Sequence, residues 1–274
     1  MDINTITTLR RPGSAAEVDT WRSGDAWLAG GTWLFSEPQP GTDTLIDLGG
    51  LGWTPIKTSA EGVTIAATCR IAEIAHFKSP EPSWHAVPLF RACCDSFLAS
   101  FKIWNAATIG GNICMSLPAG PMISLTAALE GVCTLWPRDG QPREVAVADF
   151  VTGNHANALR PGELLRSIHL PAAALSRRFA MRQQSLTKLG RSAALIIGTH
   201  APGGAFLLTI TAATDRPVQL RFPSLPDAAA LDAAVAAIPR ERWFQDVHGS
   251  AGYKRHLTHH FAAEIRAELE SVAP

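Results

Sequence analysis

Short apolar runs recur along the first half of the chain, and several of them stop on glycine. "AWLAGG" is a strand-length run that ends on Gly30–Gly31, and "DTLIDLGGL" is a second that ends on Gly49–Gly50. Ahead of both, "PGSAAEVDTW" predicts a helix start, with Ser14 as the cap and Glu17 three residues on to complete a capping box. In "EGVTIAATCRIAEIAHF" the period changes. Val63 to Ala67 suits a strand, whereas Arg70 to Phe77 puts Ile71, Ile74 and Ala75 on one helical face, with Thr68 as the cap between them. A helix is expected from Pro88 to Ala99. Another is expected at "PMISLTAALE", where Pro121 suits a first turn and Gly131 ends the run. "GVCTLWPRDGQPREVAVADF" predicts a strand hairpin turned at Arg138–Asp139–Gly140.

Leu165 to Leu170 reads as a further strand, and the prolines and alanines after it read as a connection between domains. "AALIIGTHAPGGAFLLTITAAT" predicts two strands joined at Pro202–Gly203–Gly204, and the tail, "DAAALDAAVAAI" and "AGYKRHLTHHFAAEIRAELE", is helical. The expected organisation is a first part over residues 1–170, split into two α/β subdomains near residue 54. A C-terminal α+β part follows over residues 171–274.

Composition narrows the function. A 46% hydrophobic fraction suits a globular core, and 24 Lys plus Arg balance 24 Asp plus Glu. That neutrality argues against electrostatic binding to nucleic acid or an anionic membrane. No apolar run reaches the length of a spanning helix, and the first residues lack a secretory pattern. The five cysteines, Cys69, Cys93, Cys94, Cys114 and Cys133, form no C-x-x-C, which suits buried thiols in a reducing cytoplasm and no iron–sulfur cluster on this chain. His256, His260 and Glu264 fall on one helical face, and a solvated face is the expectation there, with no metal. Trp27, Trp53 and Trp136 are expected in the core, and Trp104, near the second glycine pair, is open between core packing and stacking.

The glycine pairs carry the candidate chemistry. Glycine admits φ > 0 and lets a ligand approach the backbone, and consecutive amides in such a turn can point at one anion. "WLAGGTWLF" and "NAATIGGNICMSLPAG" are expected to supply two such turns, which would hold a diphosphate from both sides with neutral donors. Neither is a G-x-G-x-x-G or a P-loop.

The blocks "AGGTWL", "TLIDLGGL", "GVTIAATCRIAEIA", "NAATIGGNI", "LRPGELLRSIHLP" and "DVHGSAGYKRHL" stand in the order of the FAD-binding medium subunits of molybdenum hydroxylases, the carbon monoxide dehydrogenase and xanthine dehydrogenase family, which this chain resembles from about Thr8 to Leu269. The resemblance implies an α+β chain with a two-subdomain FAD-binding fold of the vanillyl-alcohol oxidase type and a small C-terminal domain of sheet and helices. It implies that Leu28, Ala29, Gly30, Gly31 and Thr32 line one diphosphate loop, and that Thr108, Ile109, Gly110, Gly111 and Asn112 form the other. Cys114 would follow beside the cofactor, Leu165 would pack on the isoalloxazine ring, and Arg182 would lie near the flavin. It also implies an oxidoreductase with no acid–base residue of its own. FAD would take electrons from a small [2Fe–2S] subunit, beside a large molybdopterin-binding subunit, and pass them to an external acceptor. Two positions depart from the family pattern: Pro121 stands where an aspartate is usual, and Trp33 where a small polar or acidic residue is common. Loss of that acceptor would cost about 1–3 kcal/mol if its partner stays buried. The departure motivates an alternative, a scaffold subunit without FAD.

Overall fold

Three sheets and a short hairpin carry the chain in a computed structural model, which describes residues 4–18, 21–137, 141–188 and 190–271. The first sheet is parallel, with β1 (Thr8–Arg10) and β2 (Asp25–Leu28) flanking β3 (Thr44–Asp47). Successive residues Leu45 and Ile46 of the central strand are both buried, so both faces of this parallel sheet are covered there. The expected capping box does not form: Ser14 Oγ donates to the Glu17 carboxylate at 2.9 Å, that carboxylate accepts from the Gly13 amide at 3.1 Å rather than from the Ser14 amide, and the turn here is a 3-10 helix, Ala15–Val18.

The second sheet is antiparallel. It contains β4 (Ile56–Ser59), β5 (Gly62–Ala66), β6 (Val132–Trp136), β7 (Arg143–Ala146) and, at its centre, β10 (Leu164–Pro171), in the order β4-β5-β10-β6-β7. The turn between β6 and β7 expected at Arg138–Asp139–Gly140 lies outside the described residues. The hairpin β8 (Val151–Gly153) and β9 (Ala156–Asn157) stands apart. A third sheet, β11 (Arg178–Ser185), β12 (Ser192–His200), β13 (Phe206–Thr211) and β14 (Val218–Phe222), follows in chain order, and β12 and β13 join at the predicted Pro202–Gly204 turn.

Seven short α-helices lie among the described residues up to 175: α1 (Ile71–Ala75), α2 (Pro88–Asp95), α3 (Phe101–Trp104), α4 (Ile109–Met115), α5 (Pro121–Ala128), α6 (Val147–Phe150) and α7 (Ala172–Leu175). Three expectations shift here. The cap of α1 is Arg70 rather than Thr68, with the Glu73 carboxylate accepting from the Arg70 amide at 2.8 Å. The helix expected to reach Ala99 stops at Asp95, and the chain turns before α3. The supposed connection after Leu170 is α7, whose Ala174 and Leu175 are buried in the main core.

Every residue of α5 is buried, so it is apolar all round and passes through the middle of the molecule. Its hydroxyls are satisfied locally. Thr126 donates to the Met122 carbonyl at 2.7 Å, and Ser124 shares a 2.7 Å bond with Thr211 of β13. Strand β12 feeds two cores: Leu195 and Ile197 join the cluster around α1, α2 and α5, while Ala194 and Ile196 face the cluster under α8 (Ala228–Ala236) and α9 (Ala251–Ser271). That double burial explains why its sequence runs apolar without alternation. Among the described residues, no helix is long and apolar enough to cross a membrane.

Candidate functional site

The turn after β2 and the start of α4 meet. A Cβ built on Gly30 would lie 2.1 Å from the Ala106 carbonyl oxygen, so only glycine allows this backbone approach. Next to it, Gly31 takes φ +69°. Its carbonyl accepts from the Phe35 amide at 2.9 Å and closes the turn. Gln39 Nε2 braces the same turn through the Leu34 carbonyl at 3.2 Å. Among the described residues, the amides of Gly30, Gly31, Thr32 and Trp33 meet no protein acceptor.

The second glycine pair is built differently from the expected open turn. Gly110 and Gly111 lie in the first turn of α4, with Thr108 as its cap. The Ile109 amide donates to the Cys69 carbonyl at 2.9 Å and the Gly110 amide to the Ala67 carbonyl at 2.9 Å. The Gly111 amide donates to Thr108 Oγ1 at 3.1 Å, and the Asn112 amide to the Thr108 carbonyl at 3.0 Å. All four donors are therefore engaged inside the protein. Gly110 is glycine because a Cβ would meet Ala67 at 2.5 Å, whereas a Cβ on Gly111 would meet, outside its own helix, only Thr108 Oγ1, at 3.1 Å. Asn112 turns its side chain to the next loop, where Oδ1 accepts from the Met122 amide at 3.1 Å and anchors the start of α5.

Between these two walls runs a cleft of about 700 Å³. Leu28, Ala29, Gly30, Gly31 and Thr32 line one side, and Thr108, Gly111, Asn112 and Cys114 line the other. Ile109 and Gly110 stand behind that wall, buried. Trp27, Trp33, Phe97, Leu98, Ile103 and Met115 supply apolar surface, and Pro121 closes one edge at the first turn of α5. Among the described residues, Arg191 is the only guanidinium or ammonium that lines the cleft, and no carboxylate lines it. Burial pushes the Cys114 thiol up to about 12, so it faces the cleft as a neutral group.

Two candidates stand elsewhere. Leu165 is buried in β10, opposite Leu135 of β6, and belongs to the main core. Arg182 of β11 turns toward α9, donating to Glu264 at 2.7 Å and to Glu268 at 2.8 Å. Glu264 also pairs with His260 at 3.3 Å, so these polar groups of α9 serve the contact between helix and sheet. Trp104 lies under the Arg91 guanidinium, 5.4 Å from its ring centre, and does not line the cleft. Sequence reasoning missed Arg191 and the Ser96–Ala99 wall. Arg191 comes from a segment 80 residues beyond Gly111, and neither it nor the Ser96–Ala99 stretch carries a local motif.

Comparison with known proteins bears on this cleft. Residues 10–173 match the family described as the FAD binding domain in molybdopterin dehydrogenase. Xanthine dehydrogenase of Oryza sativa subsp. japonica is 26% identical over 125 residues, which is 42% of this chain and 9% of that protein. Xanthine dehydrogenase/oxidase of Gallus gallus is 24% identical over 128 residues, 43% of this chain and again 9% of the relative. Both alignments thus span about a tenth of those proteins. Among solved structures, a chain of reconstituted CO dehydrogenase from Oligotropha carboxidovorans superposes with a TM-score of 0.81 at 24% identity, covering 97% of this chain and 98% of its own. A chain of quinoline 2-oxidoreductase from Pseudomonas putida 86 gives 0.76 at 19% identity, covering 96% of each. At these identities the superpositions establish the shared fold.

Proposed function

The chain belongs to the family of FAD-binding domains in molybdopterin dehydrogenases, and from that premise we propose that it is the FAD-holding, electron-transferring subunit of a molybdenum hydroxylase complex. Its donor is a small [2Fe–2S] subunit, its neighbour is a large molybdopterin-binding subunit, and its outlet is an external acceptor. FAD, when bound, takes up electrons singly and releases them singly or in pairs, which is the chemistry such a subunit contributes.

The residues of the cleft fit that cofactor. An extended dinucleotide needs donors for its diphosphate and apolar walls for its rings. The four amides of Gly30 to Trp33 without acceptors are such donors, and Arg191 adds one cation. The indole and aliphatic walls exclude water and can pack on planar rings. The α4 side orients through shape: its amides are already engaged, so it presents Thr108, Gly111, Asn112 and Cys114 as a preformed surface. No side chain here is assigned a proton to move.

The observation that carries this reading is the row of unengaged amides on the Gly30 turn, which lines a cleft where no carboxylate stands among the described residues. Purification of the chain tests it. The preparation is expected to be yellow, to release FAD on denaturation and to hold one FAD per chain. A colourless protein that added FAD does not convert refutes it and favours the scaffold alternative that Pro121 suggested.

A further inference from the structure

The hairpin of β8 and β9 touches both walls of the cleft. Its root is held in the core, where Phe150 and Val151 are buried and the Ala158 amide donates to the Phe150 carbonyl at 2.9 Å. Its tip, Asn154 and His155, is exposed. On the α4 side it meets a helix end, whose last carbonyls have no partners within the helix. Asn157 Nδ2 donates to the Cys114 carbonyl at 2.8 Å, and the His155 amide donates at 3.1 Å to the carbonyl of Ser116, the residue that caps α4. On the other side the His155 ring lies against Trp33 of the Gly30 turn, with ring centres 5.9 Å apart and planes tilted by 46°. That spacing is within the range of favourable aromatic pairs.

The two walls already meet where Gly30 approaches Ala106. The hairpin joins them a second time. This link stands at Trp33 on one wall and at Ser116, between the lining residues Met115 and Leu117, on the other. Trp33 lines the cleft and the exposed His155 does not, so the imidazole backs the indole from outside. His155 takes φ +55°, a conformation that glycine adopts at less cost. The position nevertheless carries the ring that reaches Trp33.

We propose that the β8–β9 hairpin is a clasp on the cleft, in which His155 is a positioning residue that holds the Trp33 indole in the cleft wall and so slows the release of FAD. This rests on the functional reading above, and the test separates the two. His155→Gly fits φ +55°, keeps the amide that bonds Ser116 and removes only the ring. An aromatic pair of this kind is worth a factor of about 2 to 12. FAD is therefore expected to leave His155→Gly about 2- to 12-fold faster than the unaltered chain, read from the rise of free-flavin fluorescence after dilution. Trp33→Leu is expected to release FAD at least as fast, and Trp33→Phe, which keeps an aromatic ring, to release it more slowly than Trp33→Leu. Because His155 acts through Trp33, adding His155→Gly to Trp33→Leu is expected to change the rate no further. Release from His155→Gly as slow as from the unaltered chain, or an equal acceleration by His155→Gly with and without Trp33, overturns the clasp. An unaltered chain that takes up no FAD overturns the functional reading, and the clasp with it.

Discussion

Substituting two of the cleft-lining glycines, Gly30 on one wall and Gly111 on the other, with alanine separates folding from binding. On Gly30 a methyl would sit 2.1 Å from the Ala106 carbonyl oxygen and 3.0 Å from the Ala107 Cα, both backbone atoms that cannot swing aside. Overpacking of that kind costs about 1–3 kcal/mol or more. On Gly111 a methyl would meet, outside its helix, only Thr108 Oγ1 at 3.1 Å. There the loss of glycine inside α4 gains about 0.5–1 kcal/mol of helix stability, reduced by that one tight contact. Because Gly111 lines the cleft, the same methyl narrows it. Displacing a packed ring or chain by that much costs about 1.4–3 kcal/mol of affinity, roughly a 10- to 150-fold rise in Kd. Thermal unfolding of the FAD-free proteins and titration with FAD read the two effects separately. Gly111→Ala is expected to keep or raise Tm and to bind FAD at least tenfold more weakly. Gly30→Ala is expected to lower Tm by about 2–4 °C per kcal/mol lost. A Gly111→Ala protein that binds FAD as tightly as the unaltered chain, or unfolds as early as Gly30→Ala, refutes the geometry.

Other substitutions test the supports of the cleft. Thr108→Val removes the side-chain acceptor of the Gly111 amide and is expected to cost about 1 kcal/mol in a urea titration, with Thr108→Ser close to unaltered. Asn112→Leu leaves the Met122 amide without its partner, so a loss of about 1–3 kcal/mol is expected, and no loss would show that this bond does not hold α5 in place. Burial pushes the Cys94 and Cys114 thiols up to about 12 and raises Cys69, Cys93 and Cys133 as well. The unfolded chain therefore gives up these protons first, near the ordinary thiol value. Stability should be full below about pH 9 and fall as pH rises toward 12, and a urea midpoint unchanged between pH 8 and pH 10 would contradict that burial.

The Gly30 side of the cleft was legible because a strand followed by two glycines is a local signal, and the structure uses it locally. The Gly110 side was legible as a place but not as a shape. Two consecutive glycines cost about 1 kcal/mol each in a helix, so the sequence argues for a turn. The helix forms nonetheless, because Thr108 caps it, Cys69 and Ala67 accept its first amides, and Gly110 packs on Ala67. Those are contacts between segments about forty residues apart, which no local period reports. Arg191 escaped for the same reason, since it reaches the cleft from the turn between β11 and β12. Leu165 does not line this cleft, and an aliphatic residue in a central strand reads alike whether it faces a ligand or the core.

The central claim is that FAD lies on the Gly30 turn, held by amides that the fold leaves without acceptors, against a helix start whose amides are already engaged. Amide hydrogen exchange with and without FAD tests it directly. Without FAD, the amides of Ile109 to Asn112 should already be protected and those of Gly30 to Trp33 should exchange freely. Adding FAD should protect Gly30 to Trp33 and leave the α4 amides little changed. No new protection at Gly30 to Trp33, or free exchange at Ile109 to Asn112 before FAD is added, would contradict the account.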